Sequence, residues 1–241
     1  CYNSSSESLN ANIKRSMDFY NDQRYQLSKG FIKDVEYDLT QISWTTSVLN
    51  LALKNQEITQ DKIGEKVISL YRPFFKQIGY YSRFWNERVY QLPKLFPTSK
   101  YKNLVICVKG IGDKDFSCLI ADCIPDLQVI FNGQCFPLYW YEENKNKQQT
   151  LSLFDTESSD DYIRRDGITD WILKEVRTRF GNARKITKET IFYYVYGLLH
   201  SPKYREAFAA DLKKSLPRIP IVEDIDAFLD FSYAGKQLAN L

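Results

Sequence analysis

NLVICVKGIGDKDFSCLIA (residues 103–121) reads as two strands and a turn. Asn103–Val108 and Phe116–Ala121 are short and apolar. Lys109-Gly-Ile-Gly-Asp-Lys114 lies between them. The pattern predicts a β-hairpin with a basic tip. Downstream, Leu127–Phe131 and Gln134–Tyr141 flank Asn132-Gly133. Asn-Gly between apolar runs predicts a second hairpin, because both residues accept positive φ. Pro137 cannot donate to a ladder, which puts the last strand at a sheet edge. The aromatic, β-branched texture of this region begins near Lys66 and ends at Tyr141.

Outside that region the periodicity is helical. Leu9, Ile13, Met17 and Tyr20 share one face of a first helix, with Ser6 or Ser8 as cap and Gly30 beyond its end. Val35–Trp44 alternates loosely and predicts a short strand. Val48, Leu49, Ala52 and Leu53 form the stripe of a second helix over Thr46–Asn55. Residues 142–161 are polar and turn-rich, which predicts a surface insertion or linker. After it, Thr169 caps a helix beginning at Asp170, Ile168 can staple onto Leu173, and Gly181 ends the helix. Thr187 caps the next, which carries Ile191, Phe192, Val195, Tyr196 and Leu199. Ser201-Pro202 opens a third, with proline where no N–H is missed. Tyr204, Phe208, Leu212 and Leu216 repeat along it every four residues. A last helix spans about Ile225 to Leu238.

The fold class is therefore α+β. An N-terminal helix (1–30) precedes a β-rich core (31–141), a polar linker (142–161) and a helical subregion (162–241). All four are expected to form one domain. The chain has 241 residues, 44% of them hydrophobic and 26% charged, so it can bury a real core. It begins at Cys1 rather than methionine, which suggests a fragment or processed product. No apolar run approaches the roughly 20 residues that span a bilayer, and the polar Cys1–Asn10 is no secretion signal. Cys107, Cys118, Cys123 and Cys135 lack the paired spacing of zinc knuckles and read as small buried apolar residues of a cytoplasmic, reducing compartment.

Little in the chain suits catalysis. The single histidine, His200, sits at a helix end, and no G-x-S-x-G elbow exists. The glycines at 110 and 112 lack the phosphate-loop pattern. Asp122, Asp126 and the pair Asp160-Asp161 have the chemistry to hold magnesium, but they read as solvated turn acids. Charge distribution is more informative. From Arg72 to Gly112 eight basic residues face one acid, Glu87, a local +7 in a chain of net +3. Nine aromatics interleave with them, among them Tyr80, Tyr81 and Trp85. That composition fits two readings: a half-buried sheet with a cationic outer face, or a surface for the phosphates and base edges of DNA.

Several long strings resemble one family. They are LYRPFFKQIGYYSRFWNERVYQLPKLFP (70–97), NLVICVKGIG (103–112), LIADCIPDLQVIFNGQCFPLYWYE (119–142) and IFYYVYGLLHSPKYREAFAADLKKSLPRIP (191–220), with SMDFYNDQ (16–23) in the first helix. They look like the C-terminal specificity region of Type ISP restriction–modification enzymes and related helicase–methyltransferase fusions. The YGLLHSP string also resembles the target recognition region of related single-chain restriction–methylation enzymes. The resemblance implies a target recognition domain for a short asymmetric DNA sequence. Its partners would be duplex DNA and the methyltransferase and helicase-like domains of the same polypeptide. It also implies that S-adenosylmethionine, ATP and magnesium serve those other domains. This chain has no F-x-G-x-G loop, no N-P-P-Y motif and no helicase motif, so neither a cofactor nor catalysis is expected of it alone. Local charge and turn geometry then suggest that Arg72, Lys76, Arg88, Lys94 and Lys102 lean toward phosphates. Arg83, Asn86, Lys109 and Lys114 would lie nearer base edges. A structural module that docks onto the motor and methyltransferase, with secondary DNA contact, is the alternative.

Overall fold

The apolar stripe at Leu9, Ile13, Met17 and Tyr20 sets the first element. All four are buried on one face of α1 (Ser6–Ser28). The N-cap is Ser5 rather than Ser6 or Ser8, and its hydroxyl accepts from the Ser8 N–H at 3.1 Å. Gly30 follows the helix at φ +72°. α2 (Thr46–Leu53) is capped by Thr45 and buries Val48 and Ala52 against α1. The computed structural model describes residues 2–59, 64–82, 84–86, 89–112, 114–144, 161–181 and 183–241.

Val35–Trp44 is not a strand, contrary to the alternation of its sequence. Polar side chains of α1 hold its backbone instead. The Gln23 carboxamide accepts from the Glu36 N–H at 2.7 Å, and the Ser16 hydroxyl donates to the Gln41 carbonyl at 2.6 Å. The segment after α2 is held the same way. Tyr20 donates to the Gln56 carbonyl at 2.9 Å, and Asn21 makes a reciprocal pair with the Ile58 backbone. An irregular chain has to satisfy its buried backbone groups somewhere, and here it uses the helix. Ser16 and Gln23 are buried in α1 for that reason.

β1 (Tyr2–Asn3), β2 (Glu65–Arg72) and β3 (Phe75–Tyr81) form an antiparallel arrangement in the order β1-β3-β2. Tyr80 packs into the α1–α2 core, with Phe84 and Trp85 against it. These elements belong to the first of two compact units, 1–91; the second is 92–241. The division falls inside the 31–141 stretch and inside the basic, aromatic segment.

In the second unit, α3 (Leu92–Leu95) leads to β4 (Val105–Val108). β4 pairs antiparallel with β5 (Cys118–Ala121), which is the hairpin expected of 103–121. A two-residue strand, β6 (Ile124–Pro125), comes next. The second hairpin differs from expectation. Leu127–Phe131 forms turns, and β7 (Gln134–Pro137) pairs with the free side of β4 instead. Asn132 does take φ +47°, and the Gly133 N–H closes a turn on the Ile130 carbonyl at 2.9 Å. The turn therefore spans Ile130–Gly133, with positive φ at Asn132 and not at Gly133, and the pairing partner differs as well, because the fully buried β4 offers a ladder on both sides. Pro137 lies in the edge strand of the order β5-β4-β7. β8 (Tyr139–Glu143) then leaves this sheet and pairs with β9 (Tyr162–Asp166). The sequence gives little sign of β9 at the head of the helical region: YIRRD is short and its outer residues are exposed. Residues 145–160 of the expected linker lie outside the described residues.

The helices follow their caps. Thr169 caps α4 (Asp170–Arg179), Thr187 and Thr190 form a capping box on α5 (Lys188–His200), and Asp224 caps α8 (Ile225–Ala239). The helix expected over 202–216 is two pieces, α6 (Pro202–Ala207) and α7 (Ala209–Lys214). The break is Phe208, at φ −111° and 40% exposed, so it does not share the buried face of Tyr204 and Leu212.

α5 and α8 cross at two glycines. A Cβ on Gly197 would lie 2.1 Å from the Phe231 carbonyl oxygen, and one on Gly235 would lie 2.0 Å from that of Tyr193. This close approach lets Tyr194 stack on Phe228 with ring centroids 4.1 Å apart, both fully buried. Gly197→Ala is expected to force the helices apart and cost about 2–3 kcal/mol. Thermal unfolding followed by circular dichroism should show a midpoint lowered by about 5–10 °C.

Candidate nucleic-acid interface

The basic tip expected between β4 and β5 is present, and three separate parts of the second unit brace it. The ladder runs one residue past β4, with the Lys109 N–H on the Ser117 carbonyl at 2.9 Å. The Gly110 N–H donates to the Phe131 carbonyl at 3.1 Å. The Gly112 N–H donates to the carbonyl of Lys213, at the end of α7, at 3.2 Å. Gly110 has no room for a side chain, since a Cβ there would lie 2.0 Å from the Asn132 carbonyl oxygen. Gly112 takes φ +147°, a conformation that favours glycine.

Lys109 is expected near base edges from its sequence position, and the structure corrects this. It is only 3% exposed, and its ammonium donates to the Gly112 carbonyl, closing the turn from inside. Burying an ammonium is tolerated only where it gains such a partner. Lys114 is exposed as expected, with Nζ 4.7 Å from the centre of the Phe131 ring. Beside the tip, exposed Lys213 pairs with Asp115 at 3.3 Å, and exposed Lys214 follows it. Ile111 is 59% exposed at the apex, and Asn132 is exposed on the adjoining turn. The described residues of the turn and its neighbours thus place an apolar residue, a carboxamide and three lysines on the surface. The sequence does not single out Lys213 and Lys214, because about a hundred residues separate them from the tip. The Gly112–Lys213 hydrogen bond and the Lys213–Asp115 ion pair bring them together.

The other candidates divide between the units. In the second, Lys94 on α3 and Lys102 before β4 are exposed. In the first, Arg72 and Lys76 are exposed around the β2–β3 turn, with the Arg72 guanidinium 4.0 Å over the Tyr71 ring. Asn86 serves its own loop, its carboxamide oxygen accepting from the Ser82 N–H at 2.9 Å. Arg83 and Arg88 lie outside the described residues. The β8–β9 ribbon adds two exposed arginines that sequence reasoning misses. Arg164 lies 4.3 Å over the Tyr139 ring, and Arg165 pairs with Glu142 at 3.0 Å.

One cluster of potentially reactive side chains lies elsewhere in the second unit. Cys118 Sγ lies 3.4 Å from His200 Nε2, and Arg205 reaches both Cys118 and His200. Burial pushes the Cys118 thiol up to about 11, against the opposing charge of Arg205. Burial, then the same arginine, lowers His200. A protonated thiol beside a neutral imidazole lacks the thiolate that nucleophilic catalysis needs. Among the described residues no group of His, Cys, Asp and Glu is arranged to hold a metal ion. Asp126 caps a turn by accepting from the Gln128 N–H at 2.8 Å. No described helix is long and apolar enough to cross a membrane.

A family model described as the Type ISP C-terminal specificity domain matches residues 1–241. The chain belongs to that family. Three solved relatives of this specificity domain superpose on nearly all of it. The ATP-dependent Type ISP restriction-modification enzyme LlaBIII bound to DNA matches at 30% identity and TM-score 0.77, over 99% of this chain and 14% of its own. The DrdV–DNA complex matches at 29% identity and TM-score 0.81, over 100% of this chain and 21% of its own. A nuclease-deletion mutant of the Type ISP enzyme LlaGI, in complex with a DNA substrate mimic, matches at 29% identity and TM-score 0.76, over 99% and 20%. The specificity domain therefore spans about a fifth or less of each. No curated protein matches closely enough to add to this.

The bracing of the tip has a local consequence. Lys109→Met keeps the length of the side chain and removes the ammonium, leaving the Gly112 carbonyl without its partner. Hydrogen exchange should speed up at the Gly110 and Gly112 amides by about tenfold, the loss of roughly 1–2 kcal/mol, while amides of α5 and α8 keep their protection. Equal acceleration throughout the second unit would refute a local role.

Proposed function

We propose that this specificity domain recognises a short asymmetric sequence in duplex DNA. We propose further that it presents that sequence to an adenine-N6 methyltransferase and to a helicase-like motor and nuclease on the same polypeptide. S-adenosylmethionine, ATP and magnesium belong to those other domains in this reading. The observation that carries it is the braced tip at 109–114, with Lys114, Lys213 and Lys214 around Ile111 and Asn132. Lysines of this kind neutralise phosphates and fix register. An asparagine carboxamide can pair with an adenine edge, and an apolar side chain can meet a thymine methyl. A tip already held by hydrogen bonds loses little conformational freedom on binding. The DNA present in the structures of LlaBIII, DrdV and LlaGI supports the same reading.

One feature favours the second reading, a module that docks onto neighbouring domains. A half-open cavity of about 230 Å³ in the second unit is lined almost wholly by apolar side chains, among them Ile106, Val108, Phe136, Ile168 and Phe192. Such a cleft suits an apolar side chain of another domain.

A binding selection separates the two. The chain is incubated with a randomised duplex pool over a range of salt, and the retained DNA is sequenced. The first reading expects one asymmetric motif and affinity that falls steeply with salt. Replacing Lys114 and Lys213 by alanine should then weaken binding to all sequences and reduce the log–log salt slope by about 0.9 for each phosphate no longer neutralised. Retention without sequence preference, or none at all, favours the docking module.

A further inference from the structure

The β2–β3 hairpin turns over at Arg72-Pro73-Phe74-Phe75-Lys76, and all five residues are exposed. Phe74 is 94% exposed, the most of any described aromatic, and Phe75 beside it is 52% exposed. Phe74 also holds φ +61°, a region that a bulky side chain enters only at a cost in energy. Glycine or asparagine makes such a turn without that cost. Burial does not account for the choice, because the ring contributes to neither core. From Glu65 to Tyr81 the hairpin carries Lys66, Arg72 and Lys76 against one acid, Glu65, at the end away from the turn.

An apolar ring presented among cations suits a polyanion that also offers apolar surface. The major groove of duplex DNA is about 12 Å wide and admits a two-stranded ribbon, and its one apolar group is the thymine 5-methyl. Other exposed aromatics lack this setting. Trp171, for example, is 66% exposed but follows Asp170 in the first turn of α4.

We infer that the β2–β3 tip is a second DNA-reading element, in which Phe74 packs on a thymine 5-methyl group in the major groove while Arg72 and Lys76 face the phosphates. This rests on the DNA-recognition reading and concerns the first unit alone. It makes Phe74 a determinant of specificity rather than of general affinity.

The test uses the whole chain and the motif retained from the duplex pool. Each thymine of that duplex is replaced in turn by deoxyuridine, which removes only the methyl group. Wild-type binding should weaken roughly fourfold at one position, the worth of one buried methyl. Phe74→Ala should bind the unmodified duplex at about that weaker level and no longer sense the replacement. Phe74→Gly, suited to the positive φ, should show the same weakening with an unchanged or higher melting temperature, which separates reading from folding. If no thymine responds, if the motif contains none, or if Phe74→Ala still senses the methyl, the assignment is wrong, and selective binding by the wild type leaves the broader reading intact. If the wild type retains no motif, the DNA-recognition reading of this chain fails first and the hairpin assignment with it. Self-association that disappears in Phe74→Ala, with DNA binding unchanged, would assign the tip to a protein partner instead.

Discussion

The second unit is organised around one strand that has no exposed face. Val105, Ile106, Cys107 and Val108 are each 2% exposed or less, with a partner strand on either side and the helices of the unit packed over Ile106 and Val108. A strand buried on both faces cannot slip in register without exposing apolar surface. β4 therefore fixes where the chain must turn after Val108. The buried Lys109 ammonium and the tight approach of Gly110 to Asn132 carry that constraint outward to the tip. The position of the candidate interface is a consequence of how the core closes.

Much of this is legible in the amino-acid sequence, and the exceptions share a cause. The α1 stripe, the β4–β5 hairpin and the caps at Thr169 and Thr187 are local signals, decided by residues within a few positions of one another. The misreadings concern distant partners. Asn132-Gly133 announces a turn, but only the second, buried ladder edge of β4 decides where β7 pairs. Val35–Trp44 alternates like a strand, yet Ser16 and Gln23 of α1 take its hydrogen bonds. Tyr204, Phe208 and Leu212 repeat like one helix, yet the chain turns at Phe208. The candidate site follows the same rule. Lys114 is visible in its hairpin, whereas Lys213 and Lys214 need the fold, and the charge of Lys109 says nothing about its burial.

The electrostatic reading changes accordingly. The +7 segment reads as one continuous surface, but it spans the boundary between two units, and its charges do different work. Lys109 closes a turn and Arg72 lies over Tyr71. Lys94, Lys102 and Lys114 are exposed. Clustering in sequence therefore overstates what any one surface holds, and it leaves out the cations contributed by α7 and β9.

The bracing of the tip also separates two kinds of information in this chain. The atoms that hold the loop are backbone amides and carbonyls, one ammonium and two glycines. Ile111 is exposed at its apex and Asn132 on the adjoining turn. A scaffold so arranged can exchange its outward residues while its inward ones stay fixed. On the proposed reading, new DNA targets would then be reached by altering a few letters at the apex, with the architecture that delivers them left untouched.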